Sequence, residues 1–130
     1  MIVAQVLKFL TDPNQQQAGL ASADAQTVYL ALWSIGFTNA LTAIEAAKSL
    51  LQHPEASHRF VVIHFLDQLR LTPARLVILS AIEDPDDRVA WLALRSIHSC
   101  SSELVIAAPD TFDRIVAQGK RIRFVTMTES

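Results

Sequence analysis

The chain has 130 residues, 51% hydrophobic and 18% charged, which excludes general disorder and supplies apolar material for one packed domain. Three Gly and five Pro are too few for the turns of an all-β fold, while abundant Ala and Leu favour helix. A net charge of −2 argues against nucleic acid as partner, and the single Cys100 excludes an internal disulfide and a Cys-rich metal site.

In chain order, the N-terminus lacks a basic region ahead of its apolar stretch, and Lys8 and Asp12 interrupt that stretch early. No secretory signal is expected. A helix is expected at about 2–11, a short one at 13–21 opened by Asp12-Pro13, and a third at 24–36. The next should cover 39–52 with Asn39 as N-cap, followed by a His53-Pro54 turn and a helix over 55–69. Thr72 with Pro73 predicts a cap and first turn for a helix running to Glu83. Asp84 with Pro85 predicts the same for a helix ending near Ser99. Beyond it, 102–107 starts like another helix and Pro109 ends it; Asp110 should cap a short helix to Gln118, closed by Gly119. The tail Lys120-Arg-Ile-Arg-Phe-Val-Thr-Met-Thr alternates like a strand without an evident partner. No apolar run reaches the ~20 residues of a membrane span, so a cytoplasmic location with no membrane is the expectation.

The chain repeats itself. Tyr29-Leu-Ala-Leu-Trp-Ser-Ile35 and Trp91-Leu-Ala-Leu-Arg-Ser-Ile97 agree at five of seven positions and lie 62 residues apart, twice 31. Midway stands Phe60-Val-Val-Ile-His-Phe-Leu66, apolar at the corresponding places. His53-Pro54 precedes Asp84-Pro85 by the same 31 residues, and Thr42 precedes Pro73 likewise. A period of 31, with two helices per unit, lies in the range of helical-hairpin solenoids.

The segment Ala81-Ile-Glu-Asp-Pro-Asp-Asp-Arg-Val-Ala-Trp-Leu-Ala-Leu-Arg-Ser-Ile97 resembles a HEAT-like repeat, with Asp84, Pro85, Arg88, Val89 and Ala93 carrying the likeness. Leu50 to Leu66 is a poorer copy, and the resemblance covers about 24–100. It implies an all-α fold: a right-handed α-α superhelix of about three HEAT-like hairpins over 1–119, with an irregular tail at 120–130. It also implies that the second helix of each hairpin lines a concave surface. Members of the superfamily include scaffolds, adaptors, chromophore-lyase subunits and base-repair enzymes, and no functional residue of those branches carries over.

On a helical wheel the second helices are apolar almost all round. Leu30, Val61 and Leu92 are expected as buried equivalents, and Tyr29, Phe60 and Trp91 as packing between repeats. Arg88 with Asp84 reads as a hydrogen-bond ladder between hairpins. A narrow polar stripe remains, with Gln26, Ser57 and Arg88, then Trp33, His64 and Arg95 in one column, and Asp67 and His98 beside it. Trp and Arg are the types most enriched at binding hot spots, so these residues form the candidate partner surface.

Reactive constellations are weak. There is no phosphate loop and no His-Glu-x-x-His. His53, His58, His64 and His98 do not share a helix face as a ligand set would require, so no metal or cofactor is expected. His64 and Asp67 read as a helix-surface hydrogen bond without a nucleophile to serve. The acids of 84–87 sit where a helix N-terminus already favours them. A non-catalytic scaffold or adaptor for a protein or peptide is therefore the leading reading. The alternative is an enzyme or enzyme subunit of the HEAT-like class, of base-repair or chromophore-lyase type, which a continuous positive groove would favour. A third is one end of a longer solenoid.

Overall fold

The computed structural model describes residues 12–98, 110 and 113–119. The expectations for 2–11, for 102–107, for Cys100 and for the alternating basic tail lie outside these residues. Helices account for all regular structure among the described residues, so the all-α expectation holds there.

Side-chain caps set most of the helix starts. Asp12 opens α1 (Pro13–Leu20) by accepting from the N–H groups of Asn14 at 2.9 Å and Gln15 at 3.4 Å. Asp24 opens α2 (Ala25–Thr38), accepting from the Thr27 N–H at 3.1 Å and its hydroxyl at 2.7 Å. Asn39 is the single residue between α2 and α3 (Ala40–Leu50), and its amide oxygen accepts from the Thr42 N–H at 3.1 Å, as expected. Each such bond satisfies a donor that the helix leaves unpaired. α4 (Ala56–Leu69) follows Glu55 without a side-chain cap bond and ends on Arg70, the one described non-glycine residue with positive φ (57°, ψ 36°).

Three boundaries differ from expectation. α5 (Thr72–Leu79) takes Leu71 as its cap position, so Thr72 is already helical and does not serve as N-cap. α5 also stops at Leu79 instead of reaching Glu83. The N–H groups of Ser80 and Ala81 bond back only three residues, to Val77 and Ile78, and the Ser80 hydroxyl donates to the Val77 carbonyl at 2.7 Å. That tighter turn competes with helix continuation. The third concerns α6 (Asp87–His98): Asp86, not Asp84, takes the N-terminal donors, from Arg88 at 2.9 Å and Val89 at 3.3 Å. Asp84 instead accepts the Asp86 N–H at 2.9 Å and turns the chain into the helix. A short α7 is described over 113–119, with the Arg114 N–H bonded to the Asp110 carbonyl at 3.3 Å and Gly119 as its last described residue.

The helices pack in an alternating order. α2, α4 and α6 contact one another in succession, each also contacts the helix just before it, and α3 contacts α5. α4 lies at the centre and touches α2, α3, α5 and α6. Its Val62, Ile63, Phe65 and Leu66 are fully buried, as a helix packed on several sides requires. Around them lie Val28, Leu32 and Ile35 of α2, Ala43 and Ala47 of α3, Ile78 of α5, and Val89, Leu92 and Ile97 of α6. Small residues admit the close approach. A Cβ built on Gly36 would stand 3.4 Å from the Phe65 ring. Val61 departs from the expected buried row: it is half-buried, while Leu30 and Leu92 are buried. Leu92 is 2% exposed.

Candidate functional surface

The exposed positions of α4 and α6 fall on one stripe each. α4 presents Ser57, Phe60, His64 and Gln68; α6 presents Arg88, Trp91, Arg95 and His98. Spacings of three and four residues put each set on a single helix face. Phe60 is 37% exposed and Trp91 44%. The expectation that Tyr29, Phe60 and Trp91 are packing between repeats is therefore corrected for Phe60 and Trp91, while Tyr29 is half-buried. Phe60 lies between Ser57 and His64, and Trp91 between Arg88 and Arg95, all of them exposed.

The expected column of Trp33, His64 and Arg95 divides. Trp33 is half-buried and meets the Phe65 ring edge-on at 5.0 Å and Phe37 at 5.7 Å, so it packs on the core. An anchor held this way is not the solvent-facing residue that the stripe called for. His64 is exposed and stacks on Tyr29 at 5.7 Å, whose hydroxyl donates to Gln68. Arg95 is exposed, with its guanidinium 4.9 Å from the centre of the Trp91 ring, a cation–π distance. Asp67 does not bond His64; it is half-buried and accepts the Ser96 hydroxyl at 2.5 Å, joining α4 to α6. His98 is exposed at the edge of an open cleft of about 520 Å³, lined among others by Trp91, Leu94, Arg95 and Ile115. A second cleft of about 270 Å³ runs between Phe60, Val61 and Arg88.

The hydrogen bonding expected between Arg88 and Asp84 is made by a different arginine. Arg59, not Arg88, grips Asp84 with Nε at 2.9 Å and Nη2 at 3.1 Å, and its Nη1 donates to the carbonyls of His53 at 2.7 Å and Pro54 at 3.1 Å. Both side chains of the pair are largely buried, at 12% and 8% exposure. The hydrogen bonds to Asp84 hold the guanidinium charged beyond its ordinary range, against the opposing effect of burial. Arg88 is a surface group, 84% exposed and only 3.7 Å from the Asp86 carboxylate. Nothing in the sequence around Arg59 marks it, because its partners come from residues 53–54 and 84.

Two carboxyls are held below their usual range. Asp24 is lowered by the Thr27 hydroxyl and then by the Thr27 N–H. At Asp86, burial presses upward, and the N–H groups of Val89 and Arg88 with the Arg88 charge outweigh it. These acids serve helix starts. A histidine pair, His53 and His58, stacks in parallel at 3.9 Å. His58 Nε2 donates to the Ser22 carbonyl at 3.0 Å, and its buried Nδ1 has no partner among the described residues. His53 Nδ1 accepts from the Glu55 N–H at 3.0 Å. Parallel rings aim their in-plane lone pairs past each other, so the pair does not chelate. Among the described residues no group of three or more His, Cys, Asp or Glu could hold a metal ion, and no helix is long and apolar enough to cross a membrane.

The chain belongs to a family of unknown function, DUF5724, whose profile matches residues 1–109. No curated protein and no solved structure matches it.

Proposed function

We propose that this chain is a non-catalytic binding module for a protein or peptide, built as a short right-handed HEAT-like superhelix of about three hairpins with a period of 31. The helix contacts support the hairpin reading, since each second helix meets its own first helix and the next second helix. The starts of α2, α4 and α6 at residues 25, 56 and 87 support the period. So does burial in register: Ala31, Val62 and Ala93 are all buried, as are Ile35, Leu66 and Ile97.

The observation that carries the functional reading is the exposed stripe on α4 and α6. Phe60 and Trp91 spend apolar area on solvent, with Arg95 lying over Trp91. Aromatic and Arg side chains exposed together on a rigid helix face mark interfaces. The experiment is affinity capture with the wild-type chain and with the double variant Trp91→Ala/Arg95→Ala, followed by titration of the captured partner. The variant should fold normally and bind at least about thirtyfold more weakly, the usual loss on truncating an anchor. Equal binding by the two proteins would remove the stripe as the docking surface.

A further inference from the structure

We infer that the stripe docks an acidic, extended peptide segment with an apolar side chain between its carboxylates. The inference rests on the binding-module reading and names the chemistry of the partner. The chain carries more acids than bases, 13 against 11, yet no exposed position of α4 or α6 is a carboxylate. The charges those faces present are the guanidinium groups of Arg88 and Arg95. The nearest acids are occupied: Asp67 accepts the Ser96 hydroxyl, and Asp86 accepts the first N–H groups of α6. Asp86 lies 3.7 Å from Arg88 but is 25% exposed against 84%, so the exposed charge of the face is positive on a net-acidic protein, which complements an anionic partner and repels a cationic one.

Spacing selects the form of that partner. Arg88 and Arg95 are seven residues apart, about 10 Å along a helix. A peptide in the extended polyproline II conformation covers about the same distance in three residues and returns its side chains to the same face at that spacing. Carboxylates at every third position would thus reach both arginines, and one residue between them would lie over Trp91, with Phe60 of α4 alongside. A second copy of this chain is the wrong occupant, because a two-fold contact would set Arg88 and Arg95 against their own equivalents. Two arginines on a chain of net charge −2 are also a small footprint for nucleic acid.

The test uses labelled peptides of repeated Glu-Leu-Gly triplets, with Gln-Leu-Gly, Lys-Leu-Gly and Glu-Gly-Gly counterparts, and a labelled oligothymidine strand. Fluorescence anisotropy is read at low and high salt. The Glu-Leu-Gly peptide should bind about tenfold more tightly than its Gln counterpart, as two exposed charge pairs would give, and the gap should close at high salt. The Lys and Glu-Gly-Gly peptides should bind least. Arg88→Glu/Arg95→Glu should reverse the preference towards the Lys peptide, with an unchanged melting temperature as the folding control. Equal binding of the Glu and Gln peptides, both lost in Trp91→Ala, would overturn the acidic partner and leave the binding module standing. Tight binding of oligothymidine with none of the peptides would overturn both, whereas no binding by any probe would overturn the acidic partner alone.

Discussion

Replacing Arg59 by Ala removes a side chain that donates to the Asp84 carboxylate twice and to the carbonyls of His53 and Pro54 once each. The Asp84 carboxylate has no easy replacement donor, because the pair is largely shielded from water, whereas the Pro54 carbonyl is exposed. Removing one partner of a buried ion pair costs about 3–5 kcal/mol. Residual solvent contact at both side chains places Arg59→Ala at the lower end, about 3 kcal/mol. For a chain of this length that corresponds to a fall of about 10 °C in melting temperature. Arg59→Lys keeps the charge and loses the planar fork, so it should recover less than half of the loss. In Arg59→Ala/Asp84→Asn, the second change should add little, since no uncompensated charge remains and an oxygen is kept for the Asp86 N–H. Urea unfolding followed by circular dichroism gives all three values. A cost below about 1 kcal/mol for Arg59→Ala, or strict additivity in the double variant, would show that the pair is hydrated and that the clamp does not hold α4 to the start of α6.

Leu92→Ala should cost about 2–5 kcal/mol by the same assay, as for a buried leucine in a site that cannot collapse; a loss well under 1 kcal/mol would place Leu92 outside the core. The depressed carboxyls of Asp24 and Asp86 contribute stability that is present above their unfolded value of about 3.9 and is lost as pH falls through the lower folded values. Melting temperature should therefore fall below about pH 4, and Asp86→Asn should flatten that fall; an unchanged slope would exclude the Asp86 cap as a source. Arg70→Gly should raise stability by up to about 1 kcal/mol, because glycine adopts the left-handed conformation without the steric cost; a destabilised variant would show that the Arg70 side chain contributes more than its backbone costs.

Local rules carried the reading furthest where partner groups are near in sequence. Asp12 and Asn39 were legible as caps because their acceptor oxygens reach N–H groups within three residues. Asp84 was misread for the opposite reason: it and Asp86 both suit the start of α6, and the choice is decided by Arg59, which arrives from α4. The stripe was visible as a periodicity, but its aromatic members were not separable by type. Trp33 of α2 and Trp91 of α6 are both tryptophans; Phe65 covers the first, and the described structure leaves the second open. Only the packing of α2 against α4 makes that distinction. The termination of α5 at Leu79 likewise depends on a side-chain to backbone bond that helix propensity does not register.

Between Leu69 and Thr72 the chain has only Arg70 and Leu71 in which to turn from α4 into α5. Arg70 makes that turn in a conformation with few neighbouring wells for an L-residue. The joint therefore has little slack, and the Arg59 clamp ties α4 to the turn that leads into α6. Movement of α6 relative to α4 would have to break the Arg59 clamp or the hydrogen bond from Ser96 to Asp67. A ligand spanning Phe60 and Trp91 would meet a ruler whose divisions are already set, and the ordering cost of association would fall on the ligand's side.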